Sequence, residues 1–139
     1  MSAEPVRYAF DSFALLAFLQ GEAGMPRVKA VLKDAEKGRC QVYLSWINLG
    51  EVSSITEREL GQPKAREILA HVQSLPIEML EATPQAVLDA AHLKATHRLS
   101  YADAFAVAAA LEHRAIVLTG DPEFESVQEI VQIEWLTQD

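Results

Sequence analysis

Short, mostly apolar runs punctuate this chain at wide intervals. Val6–Phe10 (VRYAF), Cys40–Ser45 (CQVYLS), Ile77–Leu80 (IEML), Ala115–Gly120 (AIVLTG) and Val131–Leu136 (VQIEWL) have the length and composition of buried strands. Longer segments between them predict helices. SFALLAFLQG follows the first run and ends near Gly21. In PRVKAVLKDAEKG, Val28, Val31, Leu32 and Ala35 recur at helical spacing, and Gly38 stands where a helix would be capped. Further helices are expected from about Trp46 to Leu60, over PKAREILAHVQSL with Pro63 in its first turn, and over TPQAVLDAAHLKATHR with Thr83 as N-cap and Pro84 at the first helical position. The last is LSYADAFAVAAALEH, Leu99–His113. Strands alternating with helices predict parallel pairing and an α/β sheet. No linker, internal repeat or low-complexity stretch interrupts the 139 residues, so one layered domain over 1–139 is expected.

Composition narrows the choice. Half the residues are hydrophobic and there are only six glycines and six prolines, which excludes a disordered or fibrous chain. Cys40 is the single cysteine, so neither an intrachain disulfide nor a cysteine-based zinc site can form. The longest apolar runs, Phe13–Leu19 and Ala104–Leu111, are too short for a bilayer. Glu4 and Asp11 fall where a signal peptide would carry positive charge and apolar residues, so a cytoplasmic protein is expected. The formal net charge of −8 speaks against a protein built mainly to grip nucleic acid. That objection weakens if a metal offsets some carboxylates, or if basic residues gather on one face.

Four acids stand in unusual places. Asp11 follows the first strand directly, and Asp121 follows the fourth by way of Gly120. Asp103 lies in the first turn of a helix with no other charge between Arg98 and Glu112, and Glu51 sits about one turn into the helix after the second strand. In an open parallel sheet ligands bind beyond the carboxyl ends of the strands, where all four side chains can meet. Each also has an ordinary reading. Asp11 and Asp121 fit as N-caps, SYAD matches a capping box of Ser100 and Asp103, and Glu51 fits a surface position. The segment around Asp103 is apolar on every side, so its carboxylate is expected to face a cleft and to be a ligand rather than a cap alone. Carboxylates sharing a pocket repel, and either protonate or recruit a cation. Oxygen ligands without a histidine or cysteine pattern select Mg²⁺ or Mn²⁺, the ions of metal-assisted phosphoryl chemistry.

In their order and spacing, FDSFALLAFL, INLGEV, LSYADAFAVAAAL and AIVLTGDPEF resemble the PIN-domain nucleases, above all the VapC-like toxin ribonucleases of toxin–antitoxin pairs. The resemblance runs from Asp11 through Asp121 to the closing strand. It implies a three-layer sandwich with a mainly parallel sheet of about five short strands between helices. It further implies a metal-dependent endoribonuclease that is restrained by a small antitoxin protein and forms a homodimer. Asp11, Glu51, Asp103 and Asp121 would be the acidic quartet. Asp11 and Asp103 would bind Mg²⁺ or Mn²⁺ directly; Glu51 and Asp121 would complete the site or orient the attacking water. Ser12, Thr119 and Asn48 are supporting candidates. Phe13 departs from the small or polar residue of many relatives and would narrow the entrance.

Other features have two readings each. Lys29, Lys33 and Lys37 recur every four residues and would guide RNA, or form a solvated helix face with Asp34 and Glu36 interleaved. The four histidines lack zinc spacing. Trp46 and Trp135 suit core or interface anchors better than a base-stacking platform. The apolar excess of FALLAFL and of the helix after Trp46 suits either a deep core or a groove for a partner helix. A phosphatase with an aspartyl nucleophile would want a second acid at Phe13, and neither GxxxxGK[ST] nor GxGxxG is present. A non-catalytic interaction module, its acids serving as caps, is the remaining rival.

Overall fold

Alternate residues along the central strands belong to two separate cores. In β1 (Val6–Phe10), Tyr8 and Phe10 pack on one side of the sheet and Ala9 on the other. In β2 (Cys40–Ser45), Val42 and Leu44 go with the first group and Tyr43 with the second. In β4 (Ile116–Thr119), Leu118 and Val117 divide in the same way. Strands buried on both faces need a helical layer on each, which is the three-layer arrangement expected from the sequence.

The computed structural model describes residues 4–137. Helices α1 (Ser12–Gln20), α2 (Met25–Glu36), α3 (Trp46–Leu60) and α4 (Gln62–Gln73) supply the layer that covers Tyr8, Phe10, Leu44 and Leu118. Helices α5 (Pro84–Thr96) and α6 (Tyr101–His113) supply the opposite layer. With β3 (Glu78–Leu80) and β5 (Ile133–Trp135), the sheet runs in the order β3-β2-β1-β4-β5, and all four pairings are parallel. The two edge strands are only three residues long, which limits the unpaired backbone they present.

Helix α6 shows why the alanine-rich stretch is so apolar. Every residue from Asp103 to Ala110 is buried, and small side chains let the helix lie close to the sheet over Ala9 and Val117. Its C-terminal carbonyl at His113 accepts a hydrogen bond from the Arg7 guanidinium at 3.1 Å, a cation placed where the helix dipole favours one.

Differences from the sequence reading lie at element ends. The second helix ends at Glu36 with Lys37 as its cap, and Gly38 follows at φ +74, the left-handed geometry glycine adopts freely. The third, fourth and fifth strands, of three, four and three residues, are shorter than their apolar runs. After β4 a 3₁₀ turn, Pro122–Val127, is anchored by the buried Phe124 and Val127, where the sequence suggested only a capped turn. Trp46 is half-buried against the α1–α4 core, whereas Trp135 on edge strand β5 is 42% exposed and anchors no core.

Candidate active site

The chain leaves β1 toward β2 on one side, and β4 pairs with β1 on the other. The carboxyl ends of β1 and β4 therefore flank the crevice where strand order reverses, the usual ligand position in such sheets. The register pairs Phe10 with Leu118, so the next residues, Asp11 and Thr119, emerge side by side.

Asp11 is fully buried and does two jobs. Its Oδ1 accepts the Ala14 backbone N–H at 2.8 Å and caps α1, while its Oδ2 accepts the Thr119 hydroxyl proton at 2.5 Å. Thr119, also fully buried, accepts the Asp121 backbone N–H at 3.0 Å, so one hydroxyl ties the first acid to the loop bearing another. Burial drives the Asp11 carboxyl upward. The Thr119 and Ala14 hydrogen bonds oppose this, the Asp121 charge adds to it, and the net effect is a rise from 3.8 to about 7.

Asp103 sits in the first turn of α6, behind the N-cap Ser100, whose Oγ accepts the Asp103 backbone N–H at 3.2 Å. This is one half of the expected capping box. The carboxylate is buried. Burial first, then the charges of Asp11, Asp121 and Glu123, push its carboxyl from 3.8 to about 8 against a hydrogen bond from Ser100. One carboxylate oxygen each from Asp103, Asp121 and Glu123 lie within 4.8 Å of one another. Asp121 caps the 3₁₀ turn through Oδ1, which accepts the Glu123 backbone N–H at 2.9 Å. Asp121 is thus a cap and a member of the close group at once, since the cap engages a single oxygen, whereas Asp11 stands beside that group with both oxygens hydrogen-bonded.

Glu51 lies half-buried on α3, one turn beyond Asn48, outside the tight group of three. Asn48 is fully buried. Its Nδ2 donates to Ser12 Oγ at 3.3 Å and to the Ala102 carbonyl at 3.0 Å, and Ser12 Oγ donates back to the Asn48 carbonyl at 3.3 Å. Its Oδ1 is buried without a partner. Lys29 and Lys33 on α2 and Lys37 at its C-cap are exposed and in no ion pair among the described residues.

Glu123 is the member that sequence reasoning missed. The available signal was local: Asp followed by Pro favours a tight turn in which the side chain accepts the N–H two residues on, bringing positions 121 and 123 together. The arrangement is an oxygen-only pocket. It accumulates negative charge that burial makes costly, and a small divalent cation with hard-oxygen preference would relieve it.

Comparison with known proteins agrees with this geometry. The family model described as PIN domain matches residues 8–130. No curated protein sequence matches the chain. Among solved structures, a chain of VapBC2 from Rickettsia felis, crystallised on a DNA fragment from its promoter, superposes with TM-score 0.72 at 13% identity, covering 95% of this chain and all of that one. VapC20 from Mycobacterium tuberculosis, described as a sarcin–ricin-loop-cleaving toxin, gives 0.69 at 18% identity over 87% of this chain and 94% of its own. DNA-bound VapBC from Salmonella typhimurium gives 0.68 at 19% identity, covering 93% and 97%. At such identities the likeness is one of fold.

Proposed function

The chain belongs to the PIN-domain family, and from that premise we propose that it is a metal-dependent endoribonuclease acting as the toxin of a toxin–antitoxin pair in the cytoplasm. The observation that carries this reading is the gathering of Asp103, Asp121 and Glu123 near the carboxyl ends of β1 and β4, close enough to Asp11 for the charges to act on one another, with the Asp11 and Asp103 carboxyls raised to about 7 and about 8. Groups so perturbed in a crevice mark functional sites more often than structural ones.

The donor set fits Mg²⁺ or Mn²⁺, with Asp11 and Asp103 as direct ligands and Asp121 and Glu51 completing the site. Glu123 joins them on its proximity to Asp103 and Asp121. Such an ion supplies an activated water and neutralises charge developing on a phosphodiester. The chain's own residues prepare that chemistry. Thr119 fixes the Asp11 rotamer through Oδ2, the 3₁₀ turn holds Asp121 and Glu123 against Asp103, and Glu51 is the carboxylate free to orient a water. Lys29, Lys33 and Lys37 offer unpaired charge to RNA phosphates. The test is cleavage of total host RNA with Mn²⁺ by the parent, Asp11→Asn and Asp103→Asn proteins. The parent cuts and both variants do not; activity in either variant removes the site assignment.

The antitoxin reading is supported by Phe13, Leu16, Phe18, Leu19, Trp46 and Leu69, all only partly buried along α1, α3 and α4. A small protein retained from native-host lysate by the parent, and lost by Leu16→Asp, is the expected result. A homodimer is read from exposed Leu88 and Leu111 on neighbouring helices α5 and α6, and sedimentation mass checks it.

A further inference from the structure

We propose that Asn48 is a positioning residue that sets the separation between Asp11 and Asp103, a role that rests on the site binding a divalent cation. Asp11 and Asp103 come from different elements and repel each other across the crevice. Nothing in the backbone ladder links the start of α1 to the start of α6. The Asn48 side chain does so from α3. One Nδ2 proton goes to Ser12, the residue after Asp11, and the other to the carbonyl of Ala102, the residue before Asp103. The return bond from Ser12 Oγ to the Asn48 carbonyl closes the clamp on the α1 side.

The chemistry restricts which side chain can do this. Two donors on one atom must reach acceptors on two elements, which a carboxamide nitrogen provides. An ionised aspartate has the same shape but only accepts, and it would add charge to a crowded acidic pocket. Leucine has similar bulk but neither accepts nor donates. The orphaned Oδ1 adds an independent argument. Among the described residues nothing donates to that oxygen, so the hydrogen bonds that hold the side chain are those of its nitrogen. Its donors explain its presence better than its packing does.

The experiment compares the parent with Asn48→Leu and Asn48→Ser, and with Thr56→Val as a control that removes another buried polar group from α3, about two turns beyond Asn48. Metal-free protein is titrated with Mn²⁺ by calorimetry, melted in EDTA, and crystallised without metal. Loss of an outer-shell partner typically weakens metal binding about ten- to a hundredfold. That drop is expected for Asn48→Leu, with a smaller one for Asn48→Ser, while Thr56→Val binds as the parent does. The Asp11–Asp103 separation is expected to widen in the Asn48→Leu crystal. Unchanged Mn²⁺ affinity in a folded Asn48 variant, or losses in melting temperature alone, would overturn the role. If Asn48→Leu does not fold, Asn48→Ser decides on the same criteria. A parent that binds no Mn²⁺ defeats the nuclease reading instead, and the crystal separations then judge the clamp by themselves.

Discussion

Removing a charge from this pocket is expected to stabilise the metal-free fold. The Asp103 carboxyl rises from 3.8 to about 8 because burial and three like charges disfavour its ionised form. The folded chain therefore holds a proton that the unfolded chain has released, across the interval from about 4 to about 8. Stability from this group is complete below the unfolded value and is lost as pH climbs through the folded one. A displacement of about four pH units sets a ceiling of about 6 kcal/mol at roughly 1.4 kcal/mol each. Water penetration and relaxation at a crevice reduce this to about 2 kcal/mol, a factor in keeping with the high effective dielectric of such sites. At about 3 °C per kcal/mol for a domain of this size, Asp103→Asn melts about 6 °C above the parent at pH 8.5 in EDTA. The gap narrows as pH is lowered toward 5, where the parent carboxyl is itself neutral. Mn²⁺ at a hundred times its dissociation constant reverses the order, raising the parent by about 2.7 kcal/mol while the variant stays put. Differential scanning fluorimetry over this grid is the assay. A variant that melts lower than the parent at both pH values in EDTA refutes the electrostatic reasoning.

Proton competition gives a second outcome. Below about pH 8 the parent's Mn²⁺ affinity falls as pH is lowered, and more steeply below about 7, since Asp103 and then Asp11 must give up protons to bind; calorimetry at pH 6, 7, 8 and 9 measures the slope. Phe124→Ala empties the fully buried anchor of the 3₁₀ turn, costing about 3–5 kcal/mol in urea unfolding and blunting the Mn²⁺ response by releasing Asp121 and Glu123. Thr119→Val keeps the volume but strands the Asp121 N–H and frees Asp11 Oδ2, and a loss of about 1–3 kcal/mol is expected from the same unfolding curves.

The architecture was visible in the sequence because its signals are local and strong. Five apolar runs separated by capped helices leave few alternatives to a parallel sheet, and Thr83, Ser100 and Asp121 cap where their residue types suggest. Asp11, Asp103 and Asp121 were visible because a carboxylate in an apolar setting is conspicuous. Glu123 was not, since its place in the cluster depends on a tight turn folding back rather than on any oddity of the residue. Asn48 was named as a supporting candidate, but its partners were not legible. Its importance lies in two hydrogen bonds to Ser12 and Ala102, 36 and 54 residues away, and no local pattern encodes partners at that range. Edge strands were overestimated for a related reason. An apolar run marks what is buried, and only three residues of each edge run pair.

Capping and cation binding need not compete for the same aspartate, and Asp11 shows how the fold joins them. The Ala14 amide occupies one direction at Oδ1, and the Thr119 hydroxyl occupies one at Oδ2. Because Thr119 already accepts the Asp121 amide, its proton is committed to Asp11 and cannot swing elsewhere without losing a bond. Both carboxylate oxygens are thereby oriented while each keeps a lone pair free. The hydrogen bonds soften the rise that burial imposes, holding Asp11 near 7 rather than higher, so it ionises readily near neutral pH. Asp103 has less hydrogen-bond support and more like charge around it, and its carboxyl is pushed up to about 8. The two acids lie close enough to titrate as a coupled pair, so a cation entering the crevice would displace protons from the pair rather than from one member alone.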